Sequence, residues 1–251
     1  MPSPSANPDP LSAAELTGRS RAHVGEVPGN TCLLHPAATW AYLAMRIAAR
    51  SAGLEITAVS GFRELGAQLA IWNGKYRGER VLLDRDSQPV DALALDEPER
   101  VATILLWSAR PGASRHHWGS DCDVIDRSQL GPAEPPRLLT ADFAPGGRYA
   151  ALEAWLAEHA ADYGFFRPYD SDRGGVQPEP WHLSFAPVSV PALARMSPQL
   201  LAEALGEVEI EGRATIERRL PELFERYVVA VAEPQPAALA AAALSRAARP
   251  A

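Results

Sequence analysis

The sequence predicts an α+β fold: a small sheet carrying a cluster of polar chemistry, flanked by helices, with a helical extension at the C-terminal side. Three observations lead there. Short apolar runs at 54–60, 122–126, 165–166 and 181–185 have strand character. Longer segments at 36–52, 63–75, 97–107 and 149–163 carry apolar residues at helical spacing. From Val190 onward only helical spacing remains.

Composition sets the outer limits. With 251 residues, 47% of them hydrophobic, the chain can bury a full core, and one domain with extensions is expected. A net charge of -7 argues against nucleic acid or an anionic membrane surface as the main partner, because both select basic patches. Cys32 and Cys122 are too few for a disulfide framework. The segment from Met1 to Pro10 has neither a basic nor an apolar leader region, and no stretch is long and apolar enough to span a bilayer. A cytoplasmic location is therefore the expectation.

In order along the chain, residues 1–12 are Pro- and Ser-rich and read as a disordered arm. Pro36 suits a first helical turn and Gly53 a helix end, bounding a segment with Trp40, Tyr42, Leu43, Met45 and Ile47. The strand at 54–60 delivers Gly61-Phe62-Arg63, and a helix follows to about Lys75. Residues 77–94, with Asp84-Arg85-Asp86 and Gln88-Pro89, read as an inserted loop or hairpin. Val101, Ile104, Leu105 and Trp107 mark the next helix, which Arg110-Pro111-Gly112 terminates. Leu152, Trp155 and Leu156 mark another, ending at Gly164. His159 lies on its face, and no metal role is assigned to it. Residues 190–232 form the helical extension, with Leu200, Leu201 and Leu205 in one helix and Ile216 to Tyr227 in a second running from Thr215 to Val229. The Ala- and Pro-rich residues 233–251 read as a flexible tail.

The chemistry concentrates between Ser114 and Asp123, which holds two of the chain's six histidines and two aspartates. A second cluster follows at Pro178-Glu179-Pro180-Trp181-His182. A catalytic zinc takes three protein ligands and leaves one position for water, which a neighbouring carboxylate uses as a nucleophile. His116, Asp123 and His182 suit the ligand roles and Glu179 the base. Pro178 and Pro180 exclude a helix interior at Glu179.

The spacing Ser114-x-His116-x-x-Gly119-x-x-x-Asp123, the later Glu179-x-Trp181-His182 and the earlier Ser60-Gly61-Phe62-Arg63 together resemble the VanY-type D-alanyl-D-alanine carboxypeptidases of peptidase family M15, within the lysostaphin-like and hedgehog-like zinc folds. Residues 30–187 carry the resemblance. It implies a mainly antiparallel sheet, a zinc peptidase domain over 13–189, one Zn2+ ion, and a peptidoglycan-derived peptide as partner. It also implies that Arg63 stands near the scissile carbonyl, where a fixed guanidinium stabilises the growing oxyanion. Ser114 and Arg115 suit a substrate carboxylate. Gln68, a helical turn beyond Glu64, is a candidate for the same cleft, and Trp118 for its wall. One position departs from the family, which has a small residue where this chain has Asp121. Asp121 shares a strand face with Asp123, so three roles fit it: support behind a ligand, contact with a substrate amine, or ligation itself.

Three functions fit these motifs. The first is a zinc carboxypeptidase that removes a C-terminal D-alanine from stem peptides, with D,D- or L,D-specificity. The second is an endolysin-type peptidoglycan endopeptidase, and the third a non-enzymatic hedgehog-like zinc-binding module. A cysteine hydrolase built on Cys122 fits poorly, because alternation turns Cys122 away from the face of Asp123.

Overall fold

The structure is a computed structural model that describes residues 10–206 and 208–240. Of the arm and tail expected from sequence, residues 1–9 and 241–251 lie outside the described residues. The rest of the arm is ordered into the fold: Leu11 is buried, and Ser12 caps α1 (Ala13–Leu16) through a capping box closed with Glu15.

A hairpin of β1 (Gly25–Glu26) and β2 (Leu33–Leu34) leads into α2 (Pro36–Arg50), which His35 caps by accepting from the Ala37 amide through Nδ1. The Tyr42 hydroxyl donates to Ile56 O and accepts from Ala58 N, so it locks α2 onto β3 (Ile56–Ser60). Next come α3 (Leu65–Tyr76), the hairpin of β4 (Leu82–Leu83) and β5 (Pro89–Val90), and α4 (Glu97–Leu105), whose N-cap is Asp96. The 77–94 insertion is thus a hairpin followed by a single 3-10 turn.

β6 (Asp121–Asp126) is buried along its whole length. After it come α5 (Thr140–Phe143), α6 (Ala150–His159), β7 (Phe165–Phe166) and β8 (His182–Phe185). The main sheet has the order β3-β6-β8-β7 and every pairing is antiparallel. This places β6, which carries two aspartates, between the strand that ends before Arg63 and the strand that begins with His182.

The last part of the described chain contains α7 (Ala186–Leu193), α8 (Pro198–Gly206), α9 (Arg213–Arg218) and α10 (Leu220–Phe224), followed by a π turn at Glu225–Val229. The helix expected to run unbroken from Thr215 to Val229 is divided, because Pro221 offers no amide to continue the ladder and restarts the helix as a first-turn residue. The expected boundary at 190 falls inside α7. The extension packs firmly: Leu201, Phe224 and Val228 join the core around the sheet, and Ile216, Leu223 and Tyr227 join a second core with Trp72, Val101 and Ile104. Trp72 Nε1 donates to Glu211 O and Asn73 pairs with the backbone at Glu209 and Glu211. Residues 236–240 are helical, with Ala238 buried against Phe166 and Ala186.

Candidate metal centre

Ser114 opens a 3-10 turn, Arg115–Trp118, that presents His116 at the edge of the sheet. Gly119 then reverses the chain at φ +66°; a Cβ there would lie 2.4 Å from Val24 Cγ1 and 2.9 Å from His35 N. Only glycine suits both the left-handed conformation and the close approach. β6 follows directly and places Asp123 opposite His182 of β8.

His116, Asp123 and His182 are all buried, and each offers a ligand atom within 4.8 Å of the others. Their outer hydrogen bonds decide which atoms face inward. His116 Nδ1 lies 2.9 Å from Gly61 O, a partner that only an N–H can satisfy, which leaves Nε2 free 3.5 Å from Asp123 Oδ2. His182 Nε2 lies 2.9 Å from Asp121 Oδ1, which leaves Nδ1 3.2 Å from Asp123 Oδ1. Asp123 Oδ1 is buried with no hydrogen bond of its own. Two inward imidazole nitrogens and an orphaned carboxylate oxygen form a donor set suited to zinc, so the residues fit the implied ion.

The two imidazoles differ in their electrostatics. Burial, partly opposed by Asp123, brings His116 down to about 4, so it is the neutral imidazole that a metal needs. Burial also disfavours charge on His182, but the carboxylates of Asp121, Asp123 and Glu179 around the ring outweigh it and raise its proton affinity well above the ordinary value. Burial raises Glu179 above the usual carboxylate range, and the nearby His182 opposes the rise. Glu179 Oε2 lies 3.3 Å from His182 Nδ1, beside the three-residue cluster.

Arg63 is fixed at both ends. Its amide donates to His116 O and its carbonyl lies 2.6 Å from His117 Nδ1, while its guanidinium donates to Gln68 Oε1 and Ser60 Oγ. His117 is a bracket and not a ligand. Its Nε2 accepts from Gly112 N, and a Cβ at Gly18 would collide with its ring at 2.3 Å.

Several expected substrate contacts are placed elsewhere. Gln68 is fully buried and holds Arg63, with its amide donating to Ala109 O. Trp118 is fully buried and donates to Leu16 O, so it lies behind the site. Arg115 and Asp121 are also buried: Arg115 Nε donates to Asp121 Oδ1, Arg115 Nη2 donates to Ser184 Oγ, and Ser120 donates to the other oxygen of Asp121. Of the three roles open to Asp121, this geometry fits support behind His182. Ser114 is buried beside the turn and its hydroxyl does not cap it. Cys122 is fully buried, and burial drives its thiol well above the ordinary range, which makes it inert as a nucleophile.

Two neighbours escaped the sequence reading. The Tyr169 ring meets His182 edge-on at 5.0 Å, and Tyr169 O accepts from the Glu179 amide. Lys75 donates to Ser108 Oγ at 2.7 Å, and burial lowers its ammonium to about 8 against the pull of Glu179. A lone tyrosine in a loop gave no signal. Lys75 lies seven residues after Gln68, on the same side of α3, and that spacing was a readable clue.

Two imidazoles and a carboxylate converging on an antiparallel sheet, with a spare buried carboxylate beside them, define the class: an α+β domain built around a candidate metal centre. The family profile described as VanY, D-alanyl-D-alanine carboxypeptidase, matches residues 31–188, and the chain belongs to this family. An uncharacterized protein of Haemophilus influenzae is 31% identical over 119 residues, covering 47% of this chain and 91% of that one. Among solved structures, VanYB in complex with D-Alanine-D-Alanine is 19% identical with a TM-score of 0.48, covering 76% of this chain and 92% of that one. The LdcB LD-carboxypeptidase is 20% identical with a TM-score of 0.49, covering 76% and 81%.

Proposed function

We propose that the protein is a zinc-dependent carboxypeptidase that removes a C-terminal D-alanine from peptidoglycan stem peptides. The observation that carries this reading is the buried carboxylate of Glu179, set next to three residues that could hold a metal without being one of them. A purely structural metal site has no need of a further carboxylate kept available for a proton.

His116 Nε2, His182 Nδ1 and a carboxylate oxygen of Asp123 would hold the ion. Zinc, when bound, supplies Lewis acidity at the scissile carbonyl and makes water a better nucleophile at neutral pH. Glu179 takes a proton from the attacking water at its carboxylate oxygen and delivers it to the leaving amine nitrogen. Its raised affinity for a proton suits both halves of that transfer. Arg63 is held rigid by Ser60 and Gln68 and stabilises the oxyanion that develops on the carbonyl. Ser114 is the remaining candidate for the substrate carboxylate, while Asp121 and Arg115 steady His182 from behind.

Mass spectrometry of two muropeptides incubated with the zinc-loaded protein tests the reading. One ends in D-Ala-D-Ala and the other in a single D-Ala after the diamino acid. Loss of alanine from the first alone identifies a D,D-enzyme, and from the second alone an L,D-enzyme. If neither loses alanine, the carboxypeptidase reading falls, and cleavage of cross-linked dimers or plain zinc binding takes its place.

A further inference from the structure

The side of α3 that braces Arg63 continues beyond the candidate centre. Gln68 accepts from the Arg63 guanidinium and donates to Ala109 O. Lys75 follows seven residues later, about 10 Å along the helix and on the same face, and donates to Ser108 Oγ at 2.7 Å. Gln68 is fully buried, whereas Lys75 and Ser108 are only partly so, and this end of the row is open to a ligand.

An ammonium carries three N–H donors. Ser108 takes one; among the described residues the other two have no protein acceptor, and Lys75 forms no ion pair. Burial draws its pKa down to about 8, Glu179 opposes the fall, and Arg63 and Arg80 add to it. Lys75 is thus a cation at neutral pH, in the field of both groups given chemical roles above.

We propose that Lys75, oriented by Ser108, binds a carboxylate of the peptide substrate, either the terminal one or one upstream of the scissile bond. The inference rests on the carboxypeptidase reading and adds a specificity-determining residue to it. A carboxylate supplies both the missing acceptors and the missing charge, while a neutral carbonyl supplies only an acceptor. Ser108 accepts from the ammonium, which leaves its own hydroxyl proton for the second carboxylate oxygen.

The test uses the zinc-loaded full chain and the two muropeptides in three forms: all carboxylates free, the terminal one amidated, and the upstream ones amidated. Binding is measured by calorimetry on Glu179→Gln, so that the ligand survives, and alanine release by mass spectrometry on the natural protein. With Lys75 present, the free acid is expected to bind roughly 10- to 100-fold more tightly than one of the two amidated forms, and that form identifies the carboxylate. Adding Lys75→Met should weaken the free acid by the same factor and leave that amidated form unchanged. A residue that only ties α3 to Ser108 would weaken every form alike.

Equal affinity for all forms, or a preference that survives Lys75→Met, would overturn the proposal; alanine release would still leave the carboxypeptidase reading standing. Acid-selective binding that depends on Lys75, without alanine release, would support the carboxylate site and remove that reading instead. Neither binding nor release overturns both. If Lys75→Met does not fold, the natural lysine decides: the preference should fade as pH rises above about 8, and a preference unchanged there would overturn the proposal.

Discussion

Asp121 Oδ1 and His182 Nε2 lie 2.9 Å apart on the side of the imidazole that faces away from Asp123. The carboxylate thereby favours the tautomer whose bare Nδ1 faces Asp123 in the candidate metal group. Asp121→Asn is expected to weaken zinc binding by roughly 10- to 100-fold, as loss of such a supporting partner does. It also leaves Arg115 facing a neutral group, so the thermal midpoint should fall. Competition with a chelator, alongside calorimetry, measures both effects. Unchanged zinc affinity would mean that Asp121 does not orient His182.

Glu179→Gln keeps the shape of the site and removes the proton acceptor. Zinc content should remain at the natural level while kcat falls by about 100- to 10,000-fold, the range associated with a general base. Substantial turnover in a zinc-replete variant would rule out the role given to Glu179.

Arg63→Lys tests whether a fixed fork is needed or merely a positive charge. Lysine cannot hold Ser60 and Gln68 simultaneously through a planar group, so kcat should fall by roughly 100- to 1000-fold with little change in zinc content. Gln68→Leu leaves the guanidinium in place but unbraced, and a smaller loss of kcat is expected. A larger loss in Gln68→Leu than in Arg63→Lys would indicate that Gln68 contacts substrate directly.

Acid should destabilise the protein partly through His35, whose pKa burial lowers to about 4 with His23 adding to the effect. The sign follows from proton counting. Between about pH 6.5 and pH 4 the unfolded chain binds the proton and the folded one does not, so stability rises with pH across that window and is lost on acidification. The difference amounts to about 2 kcal/mol after allowance for partial exposure. His35→Asn preserves a good helix cap for α2 without a titrating ring, and its midpoint should depend less steeply on pH between 6.5 and 4. An identical slope would remove His35 as a source of acid sensitivity.

Residues whose candidate role rests on local sequence are the most legible. His116, Asp123 and His182 stood out because rare side chains fell at recognisable intervals, and the strands around them had the right alternation. Trp118, Arg115 and Gln68 were harder to place, because their roles depend on what meets them from far along the chain. Trp118 is turned inward by Leu16, Arg115 by Asp121 and Ser184, and Gln68 by Ala109. Polar side chains beside a predicted metal site suggest substrate contact when burial cannot be seen. Pro221 illustrates the opposite case, since its effect on the 215–229 helix is purely local and its position in the sequence already signals the break.

The bond between Trp118 and Leu16 joins residues 102 positions apart, and Asp121 meets His182 across 61 more. Such distant closures form late, after nearby helices and hairpins have settled. On a ribosome adding about 5 to 20 residues per second, His182 emerges roughly 3 to 12 seconds after the aspartates of β6. Throughout that interval the nascent chain holds only His116 and Asp123 of the three candidate ligands. Completion of the candidate metal set is thus coupled to completion of the sheet, and a ribosome stalled before β8 would display a chain lacking one of its three members.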